Sequence, residues 1–543
     1  MKASDSMKKP WLQAGAVAVV LAVIAAAAYG PHAVHGGFLS DTWAIRELYV
    51  FSSHTHGFGG VVDSFLTELN QAKRPLAAVY LVALNAVFGP HMGFWFAWLG
   101  ATGALLSLSL YLLLRRLGVA FLDAGLIAVL VLIFPATNSL HFWSATAHIP
   151  AALSLAAFGF LLALMAFDAP EAPRRIALHC ASLAAFVMST LLYEAALPLM
   201  LSSVALYRLH VPWREAVPRW VADCVVLIPL VLLVTLASSA GHEETEAGAW
   251  AHAHIIFESG RALFTTVVLP FGSFGWYIVG LVTLVPAAAI LVYVLLPAAD
   301  SSRTELRRWL VTLVAGGLVV TFGYAIYVPG TDYYNPLAPG VGDRVNALAS
   351  IGWVLILYSG LMLATTLAFR SLPRARLLSS LGAAVACALI AVGWLRIVNT
   401  YSNYFTSAYI EDTRVLAMIH DVIPHPRRES MIWTFGQPVE VTPGVPVFGN
   451  TWDMTGSVQL EFNDPSLTSV VAEQETTFSC RRDTVLPSGN YAIDGAPDPA
   501  WSSPYGRTYF VDTVTGQMEL IRTQRQCLQA AKSFTRSPPL PGG

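Results

Sequence analysis

Charge is what this 543-residue chain has least of: Asp, Glu, Lys and Arg together make 12% of it, roughly half the share of a soluble globular domain. Net charge is −2, so the basic surplus of a nucleic-acid binder is absent. Cysteine is scarce as well, at five residues and in no metal-ligand spacing. Cys180, Cys224 and Cys387 fall in apolar segments, where a thiol packs like a small hydrophobe. Cys480 and Cys527 fall in the polar C-terminal part and are expected to bond if that part lies outside the cytoplasm. No P-loop, GxSxG, HExxH or CxxC occurs. The motif-borne nucleotide hydrolases, serine hydrolases and zinc proteases are thereby set aside.

Apolar residues are abundant instead, at 55%, in blocks of about 15 to 23 with almost no charge inside them. A helix that crosses a bilayer needs roughly 20 such residues. Met1–Pro10 carries Lys2, Lys8 and Lys9 ahead of an apolar run from Trp11 to Ala28, which reads as a retained first helix or a signal peptide. Either reading puts the next loop outside. Further spans are expected near 92–114, 119–135, 149–167, 176–192, 195–208, 220–240, 277–297, 309–328, 347–369 and 378–397, eleven in all with the first. Leu76–Phe88 is too short to cross, is broken by Gly89-Pro90, and is expected to lie at the interface.

Arginine tests this threading, because basic residues collect in cytoplasmic loops. Expected inner loops hold Arg115, Arg116, Arg174, Arg175, Arg208, Arg214, Arg219, Arg303, Arg307, Arg308, Arg370, Arg374 and Arg376. The outer ones hold Arg46, Lys73, Arg74, Arg261 and Arg344. The fold class that follows is an all-α polytopic membrane protein of the plasma (inner) membrane, with a cytoplasmic N-terminus and a small extracytoplasmic α/β domain. The membrane domain takes residues 1–397, with a first outer loop at 30–75 and an interfacial helix at 76–88; the α/β domain takes 398–536, and 537–543 is expected to be disordered. Within 398–536, helical spacing marks Ala408–Ile423, and strand-like runs occur at Met431–Phe435, Val458–Leu460 and Thr508–Val511.

The polar residues gather in the outer loops, which points to a site at the outer interface rather than a conduit through the midplane. Asp41, in Gly37-Phe38-Leu39-Ser40-Asp41-Thr42-Trp43, can take the proton of an attacking hydroxyl, or it and Ser40 can simply cap the helix that follows. Arg74, in Lys73-Arg74-Pro75-Leu76, can grip a phosphate with its two-pronged guanidinium, or snorkel to lipid headgroups. Glu194 stands alone between two apolar runs, a site carboxylate or a solvated hairpin tip. Asp343-Arg344 opens a span, as a local salt bridge and cap or with Arg344 against a phosphate. His54-Thr55-His56 and His252-Ala253-His254 have a spacing that suits a loop metal site but no carboxylate partner, so a divalent metal is conceivable and not indicated. His54, His56 and Asp343 are instead candidates for orienting a substrate, and Arg261 is a further candidate for a phosphate. His242, Glu243, Glu244, His141 and His148 share these loops.

In order along the chain, Asp41, Arg74-Pro75-Leu76, Val87-Phe88-Gly89-Pro90, the span from Met92 and Glu194 resemble the GT-C superfamily of membrane glycosyltransferases. The nearest pattern is that of the transmembrane-and-tetratricopeptide O-mannosyltransferases and their bacterial relatives, without the repeats, over roughly residues 11–210. The family often has two adjacent acids in the first loop, where this chain has Asp41 followed by Thr42. The resemblance implies a hexosyl- or pentosyltransferase that moves a sugar from a polyprenyl-phosphate donor to an acceptor hydroxyl on a polysaccharide, glycolipid or protein. Asp41 would be the base, Glu194 would orient donor or acceptor, and Arg74, with Arg344 or Arg261, would stabilise the leaving phosphate, a metal being optional. The alternatives are a transporter or flippase of a lipid-linked envelope precursor and a non-catalytic envelope assembly protein.

Overall fold

A computed structural model describes residues 3–534 apart from 70, 238–247, 269–274, 297–300, 329–333, 373, 450, 473–476, 489–491, 494–495 and 498–501. The expectations for His242, Glu243, Glu244 and the tail 537–543 lie outside these residues. Among the described residues, eight helices are long and apolar enough to cross a membrane, from Trp11–His35 through Met92–Arg116 and Ser144–Phe167 to Ala375–Val422. The chain is a multi-pass membrane protein. The N-terminal helix Ala3–His35 buries Val17, Leu21, Ala25 and Tyr29, and the Tyr29 hydroxyl donates to the Leu132 carbonyl at 2.5 Å.

Several expected spans take a different form. Within 119–135 the helix is Phe121–Leu132, 12 residues. The stretch 195–208 forms a 3-10 turn Glu194–Ala196 and two short helices, Leu197–Leu201 and Ser203–His210, separated at Ser202. Pro75 sits in the first turn of the 14-residue helix Pro75–Phe88, where its missing N–H costs nothing. That helix is about 21 Å long, short of a hydrocarbon core of ~30 Å. Gly89, at φ +55°, closes it with its N–H on the Asn85 carbonyl at 2.9 Å.

The last expected span and the helix expected at Ala408–Ile423 are one continuous helix, Ala375–Val422, of 48 residues. At 1.5 Å per residue it is about 72 Å long, more than twice the hydrocarbon thickness. The C-terminal domain packs on its end. A four-stranded sheet runs in the order Met518–Ile521, Thr508–Asp512, Met431–Phe435, Thr468–Val471, parallel except for the first pair. The two expected strands at Met431–Phe435 and Thr508–Val511 are its centre. Val458–Leu460 is not a strand but lies in the helix Thr451–Phe462, which links the parallel strands Met431–Phe435 and Thr468–Val471. Three β-branched or long apolar-polar residues suit either state over so short a window.

Alternation across the strands builds two cores. Ile432, Val471, Tyr509 and Val511 join the core that contains Val415, Leu416 and Ile419 of the long helix. Met431, Trp433, Phe435, Val470 and Phe510 face the other way, against the C-terminal helix Gln524–Ser533. A disulfide joins Cys480 to Cys527, with the Cα atoms 5.9 Å apart, and ties the hairpin Thr477–Ser488 to that helix.

Candidate functional site

Three segments position the site: the helix Asp41–Thr55, the turn that leads into Pro75–Phe88, and the irregular stretch 133–148. In that stretch the short helix Ser139–Phe142 and a 3-10 turn Ser144–Thr146 bring Trp143, Ser144 and His148 together. Asp343 holds it in place. Its carboxylate accepts from the backbone N–H groups of Asn138, at 2.7 Å, and Ser139, at 3.1 Å, and from the Ser139 hydroxyl. Burial pushes the Asp343 carboxyl up to about 7 against the pull of these donors. The structure therefore gives Asp343 a scaffold position, with the Arg344 charge also acting on its carboxylate.

Arg74 and Glu194 meet. Nε and Nη2 of Arg74 donate to the two carboxylate oxygens of Glu194 at 2.8 and 2.6 Å. The Arg74 guanidinium lies 4.5 Å from the Tyr193 ring centroid, and the Tyr193 and Tyr327 hydroxyls share a hydrogen bond of 2.8 Å. Burial pushes the Glu194 carboxyl up, but the charge and hydrogen bonds of Arg74 outweigh it and hold it below the usual carboxylate range. Burial pushes both tyrosine hydroxyls up, so both stay neutral, one donating to the other. The Arg344 guanidinium sits 5.1 Å from the Trp143 ring centroid, and its charge reaches both His148 and Tyr193, as does that of Arg74. Arg74 thus packs on Tyr193 and Arg344 on Trp143, and the charges of both act on His148 and Tyr193.

Asp41 opens its helix at half-exposure, behind a Ser40 with φ +48° and no side-chain cap bond. A non-glycine residue held there stores backbone strain of ~1–3 kcal/mol. Oδ1 of Asp41 accepts from the Trp452 indole at 2.9 Å, a contact between residues 411 apart in sequence. Next door, the Thr42 and Ser144 hydroxyls are 3.0 Å apart and the Trp43 indole donates to Asp412 of the long helix at 3.0 Å. The Trp143 indole donates to the Leu39 carbonyl at 3.1 Å. Thr42, Arg46, Asn85, Trp95 and Ser144 surround a small closed gap where the first-loop helix meets the turn Ser144–Thr146 and the helices Pro75–Phe88 and Met92–Arg116. The stretch 143–148 therefore touches the start of the helix that carries Asp41, through Trp143 and Ser144, and Tyr193 beside Glu194, through His148.

The remaining candidates are placed elsewhere. His54 and His56 are exposed; His54 rests against Phe51 of its own helix, and Nδ1 of His56 shares a 2.7 Å bond with the Thr55 hydroxyl. Arg261 is 66% exposed and paired with Glu258 at 2.5 Å on its own helix. Among the described residues no three His, Cys, Asp or Glu side chains gather as a metal site would need. Trp143, Tyr193, Tyr327 and Trp452 were not foreseen as parts of the site, and of these only Tyr193 had a sequence signal, its place beside Glu194. No known protein family matches the chain. No curated protein matches it either.

Proposed function

We propose that this protein is a GT-C-type glycosyltransferase that moves a sugar from a polyprenyl-phosphate donor to an acceptor hydroxyl at the outer face of the plasma membrane. The observation that carries the reading is the Arg74 guanidinium held in a two-pronged pair with Glu194 against the Tyr193 ring. A guanidinium fork that binds a carboxylate through two parallel bonds binds a phosphate in the same way. The aromatic ring of Tyr193 on one side of the guanidinium strengthens its charge contact by lowering the local dielectric.

In the reaction the acceptor oxygen forms a bond to the sugar C1 as the bond from C1 to the phosphate oxygen breaks. Asp41 takes the hydroxyl proton, and the electron pair leaves on the polyprenyl phosphate, whose developing charge Arg74 and Arg344 stabilise. Glu194 holds Arg74 in position before the phosphate arrives and orients donor or acceptor afterwards. Trp452, tied to Asp41, would offer its indole face to an acceptor sugar in this reading. The N-terminus is cytoplasmic and the C-terminal domain extracytoplasmic in this reading, with Cys480–Cys527 suited to an oxidising compartment.

The test is turnover of a panel of radiolabelled polyprenyl-phosphate sugars by the purified protein in lipid, with Asp41→Asn and Arg74→Gln alongside. Wild-type transfer or hydrolysis that both variants lose supports the reading. Full turnover by Asp41→Asn removes its role as base. No turnover of any donor by folded, lipid-bound wild type transfers the case to the transport and assembly alternatives.

A further inference from the structure

His148 opens the helix His148–Phe167 and is 7% exposed. Both of its ring nitrogens are shut off from solvent, and neither makes a well-formed hydrogen bond among the described residues, the Ala145 backbone offering only a weak contact. The ring meets Tyr193 edge-on, centroids 5.6 Å apart, and the charges of Arg74, Glu194 and Arg344 all reach it. An imidazole is always a donor at one nitrogen at least, and leaving such a group buried and unpaired opposes folding. Unsatisfied polar groups of this kind persist where they meet a partner during function. The partner's chemistry follows from the neighbours: two guanidinium charges select an anion, and a neutral N–H supplies a further directed donor. A phosphate oxygen fits all three.

From this we infer that His148 is a third phosphate-binding residue of the site, engaged when an incoming phosphate draws Arg74 away from Glu194. Arg74 and Glu194 have side chains 29% and 32% exposed, so a phosphate can approach their pair from solvent while His148 stays covered. Once the guanidinium turns to the phosphate, the imidazole N–H donates to another of its oxygens. The inference rests on the proposed donor site and names a residue that the proposed chemistry leaves unused.

The test measures undecaprenyl phosphate binding to the purified full chain in nanodiscs, with inorganic phosphate as competitor and thermal unfolding in parallel. His148→Phe removes the N–H but keeps a ring against Tyr193, and His148→Gln keeps a donor near the position of Nε2. The expected result is a loss of at least about tenfold in His148→Phe, most of the affinity retained in His148→Gln, and a melting temperature for His148→Phe equal to or above wild type. Unchanged binding by His148→Phe overturns the inference, and so does weakened binding in both variants with a matching fall in melting temperature, which marks a packing role. Displacement of the lipid by inorganic phosphate at equal concentration assigns the site to a free anion and overturns the lipid-phosphate form of it. Loss in Arg74→Gln without loss in His148→Phe removes this inference and leaves the donor site standing. Wild-type protein that binds no polyprenyl phosphate removes both.

Discussion

Arg74 makes its bidentate pair with Glu194 where water still reaches both side chains, and ion pairs with that much solvent access contribute little net stability. The pair is strong enough to orient the guanidinium and weak enough to exchange for a phosphate. Arg74→Gln is therefore expected to weaken polyprenyl-phosphate binding by about tenfold or more, while Glu194→Gln leaves it intact or tighter because the competing carboxylate is gone. Lipid binding to the two variants decides this, and equal losses in both would mean that the pair acts only as a structural tie. Asp343 gives a second residue-level prediction. Its carboxyl, raised by burial to about 7, is protonated more readily in the folded than in the unfolded chain. The stability it contributes is present in full below its unfolded value, near 4, and is lost as pH rises through about 7. Thermal unfolding of wild type between pH 4 and 8 should show this decline, on the order of a few kcal/mol. Asp343→Asn should remove the slope whatever it does to the absolute stability, and a slope that survives in the variant belongs to another group.

The helix Thr451–Phe462 lies so close to the helix Asp41–Thr55 that a Cβ on Gly456 would be 3.0 Å from the Ala44 Cα. This contact sets Trp452 against Asp41. Gly456→Ala is expected to cost about 1 kcal/mol and Gly456→Leu up to ~3 kcal/mol, and the leucine should also lower turnover by separating Trp452 from Asp41. A melting series for the two variants with activity at each step checks this; a leucine variant as stable and active as wild type would show that the two helices are not closely packed. None of this contact was legible in the sequence, since the pairing of residues 41 and 452 depends on where a 48-residue helix delivers the domain that follows it. What could be read was local. Met431–Phe435 and Thr508–Val511 are runs of β-branched and aromatic residues bounded by polar turns, and they are the central strands. Gly89 after an apolar run marked a helix end because only a positive φ closes it there. Val458–Leu460 misled because three residues cannot show a helical period. In the site, Glu194 was legible as a lone charge between apolar runs and Arg74 as half of a basic pair before Pro75, whereas the scaffold position of Asp343 needed Asn138 and Ser139, some 200 residues away, to be visible.

One face of the C-terminal sheet has no core of its own: Ile432, Val471, Tyr509 and Val511 complete a core that begins in the membrane-spanning bundle. A second tie forms where Gly340 and Gly444, both at positive φ, bring two backbones together and the Val341 N–H reaches the Gly444 carbonyl at 2.7 Å. A domain bound in this way must lie on the same side of the membrane as Asp41, Arg74 and Asp343, so the sidedness of one fixes the other. In the proposed orientation that side is outside, and the ends carrying Arg115, Arg174 and Arg303 are inside. Val514, 67% exposed on the C-terminal domain, and Glu171, exposed at the opposite end beside Arg174, report the two sides. With the free Cys180, Cys224 and Cys387 replaced, Val514→Cys is expected to react with a membrane-impermeant maleimide in intact cells, and Glu171→Cys only after the membrane is permeabilised. The reverse pattern would put Asp41 and Arg74 in the cytoplasm, where the site would face nucleotide-linked rather than lipid-linked donors and the glycosyltransferase reading would lose its substrate. Labelling of both positions in intact cells would break the shared threading from which the placement of every loop follows.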